Sequence, residues 1–104
     1  MSPEQEIKLL KEAERGAKAK SVYEDSFVQE ALQAIDGGIL DAWKKSPVRD
    51  QEGQVQLRLL YKCLHDFKAY FLDAMTTGKM AEVQLKHERS LKDRAGAAVR
   101  EFSR

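Results

Sequence analysis

The sequence predicts an all-α protein, a helical hairpin or small helical bundle built on a long central helix. Proline occurs only at positions 3 and 47, so helix breakers are rare. Between the prolines, the dominant residues are Ala, Leu, Glu, Lys, Gln and Arg, which favour helix interiors. Apolar residues also recur every three or four positions, the period of one helix face.

A chain of 104 residues holds enough material for one hydrophobic core, so we expect a single helical domain over residues 1–104. No low-complexity tract or Gly/Ser linker suggests a domain boundary. The sequence predicts helices at residues 3–20, 22–45, 51–77 and 79–102.

The first helix begins at a capping box, in which Ser2 and Gln5 flank Pro3. Gly16 weakens its interior, so we expect this helix to pack loosely or fray. Its thin apolar face consists of Leu9, Leu10, Ala13 and Ala17.

The second helix begins near residues 21–24, and its apolar stripe keeps the helical phase across Gly37 and Gly38. This favours one continuous helix over a turn at the two glycines. Ser46 precedes proline and ends the helix, because that position disfavours the α conformation. A loop then spans residues 46–53, with Asp50 as the expected N-cap of the next helix.

The third helix is the most apolar, because 14 of the 21 residues at positions 55–75 are apolar. They spread over roughly 220° of the helix circumference, about twice the arc that docks on one core. We therefore expect other helices to pack against this helix on two sides. On one of these sides, the packing residues would come from a second copy of the chain or from a partner. Gly78, after Thr77, is expected to close it as a C-terminal glycine.

The fourth helix carries a narrow seam like that of a short coiled coil. The segment at residues 80–85 also allows a strand. The seam comprises Met80, Gln84, His87, Leu91, Ala95, Ala98 and Phe102.

The residue types argue against catalysis and bound metals. Cys63, His65 and His87 are the only soft metal ligands, too few for a structural zinc site. Cys63 lies within the apolar arc, where a small packed residue is expected. Thr77-Gly78-Lys79 lacks the earlier glycine of a phosphate-binding loop. We therefore expect no enzyme activity, catalytic residue, metal or cofactor.

The apolar faces predict a homo-oligomer, or a surface for a protein partner. No apolar run is long enough for a membrane span, and no signal peptide is recognisable, so we expect a cytoplasmic protein with no membrane partner. The expected interface residues are Leu59, Cys63, Tyr70, Met80, His87, Leu91 and Phe102.

Nucleic acid is the main alternative partner. The whole chain has a net charge of only +1, but its last 26 residues carry seven Lys and Arg against four acids. A basic helix of this kind can contact phosphates. The candidate DNA contacts are Lys86, Arg89, Lys92, Arg94 and Arg100.

The central segment resembles short all-helical proteins of tailed bacteriophages and prophages. The resemblance covers about residues 24–85 and rests on Asp41-Ala42-Trp43, residues 46–53, the Leu/Tyr-rich helix and residues 77–81. It implies a structural or adaptor role in virion assembly or DNA packaging, in the host cytoplasm or in the virion, with other phage structural or packaging proteins as partners. Small terminases usually carry a helix-turn-helix near the N-terminus, and residues 2–36 show no clear one.

The sequence thus favours a non-catalytic, self-associating helical structural or adaptor protein. One alternative is a nucleic-acid-binding accessory protein, similar to a small terminase, that uses the basic C-terminal helix. Another is a small inhibitor or regulator of a host protein, for which the sequence offers no feature for or against.

Overall fold

The structure, a computed structural model, describes residues 1–102 and confirms the all-α fold class. It contains α1 (Pro3–Tyr23), α2 (Ser26–Lys45) and α3 (Gln51–Phe102). The described residues include no strand, so the strand alternative at residues 80–85 is wrong. They form two compact units, one of residues 1–18 with 74–102 and the other of residues 19–73.

The start of α1 confirms the predicted capping box. The backbone N–H of Gln5 donates to Ser2 Oγ over 3.2 Å, and the Ser2 N–H donates to Gln5 Oε1 over 3.3 Å. Two backbone donors near the helix start are thereby satisfied.

The boundary between α1 and α2 lies three to four residues later than predicted. Asp25 is the N-cap of α2, because its Oδ1 accepts from the N–H groups of Phe27 and Val28 over 3.0 and 3.2 Å. Gln29 Nε2 donates to the Tyr23 carbonyl over 2.6 Å, which satisfies an acceptor at the end of α1.

The connection between α2 and α3 agrees with the prediction. α2 runs unbroken through Gly37 and Gly38 and ends at Ser46, whose backbone is extended and whose Oγ donates to the Trp43 carbonyl over 2.7 Å. Asp50 caps α3 by accepting from the Gly53 N–H over 3.0 Å. The loop is therefore shorter than predicted, at residues 46–50.

The predicted break between a third and a fourth helix is wrong. α3 continues through Thr77 and Gly78 and contains 52 residues. No glycine has a positive φ, so Gly78 does not adopt the left-handed conformation of a helix-ending glycine.

The first unit is organised around a close crossing of α1 and α3. A Cβ placed on Gly16 would lie 2.7 Å from Gly78 Cα and 2.8 Å from the Ala74 carbonyl oxygen. Both glycines are buried, as are Ala74 and Ala81. Gly16 is therefore the position where the two backbones meet, and the prediction that it loosens α1 is wrong.

The second unit has a small core between α2 and α3. Leu32 of α2 and Leu64 of α3 are its buried apolar residues. Tyr23 contacts Phe71, with ring centroids 5.7 Å apart, and Phe71 meets Phe67 edge-on at 5.2 Å. This aromatic cluster joins the end of α1 to α3.

Candidate protein interaction surface

The described chain leaves most of its large apolar side chains in contact with solvent. Among residues 1–102, only Leu32, Leu64, Ala74 and Ala81 form the buried apolar core. Large apolar side chains are exposed in both units, for example Trp43 and Leu59 in the second and Met80 in the first.

The most defined feature of this surface is a groove in the second unit, here called the α2–α3 groove. It has a volume of about 780 Å³ and lies where the C-terminal half of α2 runs beside the first turns of α3. Its walls come from both helices, so the short loop at residues 46–50 is what brings them together. The lining residues are Asp36, Ile39, Leu40, Trp43, Gln51, Gln54, Val55, Leu57, Arg58 and Tyr61.

Trp43 is the largest side chain of the α2–α3 groove and the only tryptophan in the protein. It is 56% exposed, although a partly apolar ring of this size is usually well covered. Its backbone is fixed by the helix end, where both the N–H and the Oγ of Ser46 donate to its carbonyl. The backbone that carries the indole is thus fixed at the end of α2.

The α2–α3 groove carries one charge of each sign, Asp36 from α2 and Arg58 from α3. The ion pairs of the described residues join Lys8 to Glu12 and Lys45 to Asp41, and they include neither groove charge. The groove is therefore an apolar surface with an acid and a base both available to an external partner.

The structure places the predicted interface residues on the surface, but not in the α2–α3 groove. Leu59, Cys63 and Tyr70 lie on a second face of the first half of α3, here called the outer face of α3. Tyr61 and Tyr70 are nine residues apart, which turns them about 180° from each other around the helix. The expectation that Cys63 is packed is wrong for the single chain, because Cys63 is exposed.

The predicted interface residues of the C-terminal seam lie in the first unit. Met80, His87, Leu91 and Phe102 are all exposed, and Phe102 is 94% exposed. The structure therefore does not gather the seven predicted residues into one site. It divides them between the two units.

Sequence reasoning missed the α2–α3 groove because it used the apolar stripe of α2 only to infer a continuous helix and did not pair that stripe with α3. The sequence feature that could have predicted the groove is the short connection after Ser46. It forces the end of α2 and the start of α3 to lie side by side, so their apolar residues must share one surface.

The candidate DNA contacts all project from the exposed part of α3. Three of them, Lys86, Arg89 and Arg94, border one shallow depression together with Asp93. Lys92 and Arg100 are also exposed but lie outside it. The structure thus groups three of the five basic residues, with an acid among them.

Residues 1–102 contain no cluster of three or more His, Cys, Asp or Glu side chains that could hold a metal ion. None of the described helices is both long and apolar enough to cross a membrane. In comparisons with known proteins, no protein family, curated sequence or solved structure matches this chain.

Proposed function

We propose that this chain is a non-catalytic helical assembly protein that acts by self-association. The observation that carries the proposal is the exposure of large apolar side chains in both units, among them Trp43 and Leu59 in the second unit and Met80 in the first. Exposed apolar surface of this kind marks sites where proteins associate.

Exposed aromatic side chains give further support to the proposal. Trp43, Tyr61 and Tyr70 are all exposed, and aromatic side chains are enriched where proteins associate. Two surfaces of the second unit offer them, the α2–α3 groove and the outer face of α3.

The first test is the solution mass, measured by size exclusion with light scattering at about 0.15 M salt. We expect one discrete oligomer, because dissociation would return the exposed aromatic side chains to water. A monomer of 11.8 kDa at every concentration would contradict the proposal.

For the biological setting we propose virion assembly or DNA packaging in a bacteriophage, with other phage structural or packaging proteins as partners. The support is the resemblance of residues 24–85 to short helical phage proteins. The test is to purify virions or packaging complexes that contain a tagged chain and determine whether the chain copurifies at a fixed stoichiometry. Its absence from both would contradict this setting.

A second candidate function is nucleic-acid binding, favoured by the grouping of Lys86, Arg89 and Arg94 at one depression on α3. A mobility shift with double-stranded DNA should then weaken steeply as salt rises, because phosphate binding releases counterions. Replacing the three residues by Gln should abolish the shift, whereas Lys8→Gln on α1 should leave it unchanged. No shift at low salt would exclude this function.

A further inference from the structure

We propose that the α2–α3 groove is completed by the same groove of a second copy of this chain, related by a two-fold axis. This inference rests on the proposed self-association and names the surface and partner for it. The two helices of the second unit would then pack against the same two helices of the other copy, as a four-helix arrangement.

The first argument is the incomplete burial of the α2–α3 pair. Leu32 and Leu64 are its only buried apolar side chains within the described chain, whereas Leu40, Trp43 and Val55 are each more than half exposed in the groove. Two helices cannot enclose a core by themselves. A second pair, of the same length and with the same apolar face, supplies the missing side of that core.

The second argument is the charge pattern of the α2–α3 groove. In a two-fold interface, if one residue contacts a second across the axis, the reverse contact also forms. Asp36 of each copy can therefore face Arg58 of the other, forming two equivalent ion pairs. Neither residue has an ion-pair partner among the described residues, so both are available for this pairing.

The third argument is the exposed aromatic ring. Trp43 is the only tryptophan of the protein and is 56% exposed in the groove. Association about a two-fold axis would cover this ring in both copies at once, and buried tryptophan is among the residues that contribute most to binding.

The main test compares two substitutions on α2 that match in exposure. Leu40 and Ile35 are each 52% exposed, but only Leu40 lines the α2–α3 groove, and the two lie about 140° apart around the helix. We expect Leu40→Lys to reduce the solution mass to that of the monomer, because it places a charge in the groove. Ile35→Lys should leave the mass unchanged.

Trp43 provides a second readout in the unmodified protein. As the only tryptophan, it reports on the α2–α3 groove alone. Dilution through the dimer-to-monomer transition should shift its emission to the red and increase its quenching by acrylamide several-fold. In Leu40→Lys, emission and quenching should already equal those of the dilute protein and be independent of concentration.

A charge swap tests the two-fold geometry even if Leu40→Lys fails to fold. A chain with Arg58→Asp carries two acids in the groove, and a chain with Asp36→Arg carries two bases. Each alone should dimerise more weakly than the unmodified chain, and a 1:1 mixture should recover the dimer. Asp73→Arg, with the same net charge as Asp36→Arg but an unmodified groove, should not rescue the Arg58→Asp chain.

The outcomes separate this inference from the proposed function. A monomer at all concentrations overturns both. An oligomer that persists in Leu40→Lys with Trp43 still open to quenching overturns the groove inference only. The groove inference alone is also overturned if Ile35→Lys dissociates the protein as fully as Leu40→Lys does. It is likewise overturned if Leu59→Lys, on the outer face of α3, dissociates the protein while Leu40→Lys does not.

Discussion

Gly16 and Gly78 show how single residues determine the packing of the first unit. Their backbones approach so closely that a methyl group on either would overlap backbone atoms of the other helix. Backbone atoms cannot rotate away as the end of a flexible side chain can. The absence of two side chains therefore permits α1 and α3 to touch.

We predict that Gly16→Ala destabilises the protein despite the better helix propensity of alanine. The alanine Cβ would lie 2.7 Å from Gly78 Cα, so the helices must separate, at a cost of about 1–3 kcal/mol. The propensity gain of about 0.5–1 kcal/mol offsets only part of this cost. Urea unfolding followed by circular dichroism, at one fixed protein concentration, measures the difference.

Two other glycines are matched controls for that substitution. Gly37 in α2 and Gly96 in α3 have open space where a Cβ would be added. Gly37→Ala and Gly96→Ala should each stabilise the protein by up to about 1 kcal/mol. If Gly16→Ala were as stabilising as these two, the close crossing of α1 and α3 would be refuted.

At the scale of elements, three helix ends were predictable from the sequence. The capping box of Ser2 and Gln5, the stop at Ser46 and the cap at Asp50 all depend on residues within three positions of each other. Such local hydrogen bonds can be predicted from the sequence because the donor and the acceptor lie in the same short segment.

Two of the errors, the break at Gly78 and the missed α2–α3 groove, occurred where the partner is distant in the sequence. Gly78 has the local signature of a helix end, and only the approach of Gly16 explains why a glycine stands inside a 52-residue helix. The α2–α3 groove was missed for a related reason. The periodicity of α2 identifies an apolar face, but it does not indicate whether other residues cover that face. Trp43 lies on a part of the face that is exposed.

We predict that Asp25→Ala shortens or weakens the start of α2. Asp25 Oδ1 accepts two backbone hydrogen bonds, and loss of an N-cap costs about 1 kcal/mol. Asp25→Asn keeps the acceptor oxygen and removes the charge, so it should retain most of the stability. Thermal unfolding of the three proteins checks this; equal losses in both variants would assign the effect to charge rather than to hydrogen bonding.

At the scale of the whole molecule, the chain has a well-formed set of helices and very little core. Four buried apolar residues are few for the 102 residues that the structure describes, and the helices have most of their remaining large apolar side chains exposed to water. Stability in such a chain is expected to come largely from association, because helices gain more from packing than from propensity.

We therefore predict that the melting temperature rises with protein concentration. Binding of a second folded copy stabilises the folded state by mass action, and dilution removes that contribution. Differential scanning calorimetry over a hundredfold concentration range should show the rise. The dissociating variant Leu40→Lys should melt at one temperature throughout, and a constant melting temperature in the unmodified protein would argue against coupled folding and assembly.

The crossing at Gly16 and Gly78 also bears on the order in which the chain is built. Gly16 precedes Gly78 by 62 residues, so bringing them together costs about 3.7 kcal/mol in loop-closure entropy. During synthesis, Gly16 precedes residue 78 by on the order of 3–12 s. The α2 helix meets α3 across five residues and can pair almost at once. Of the three helices, α1 is thus synthesised before the other two but packs after them.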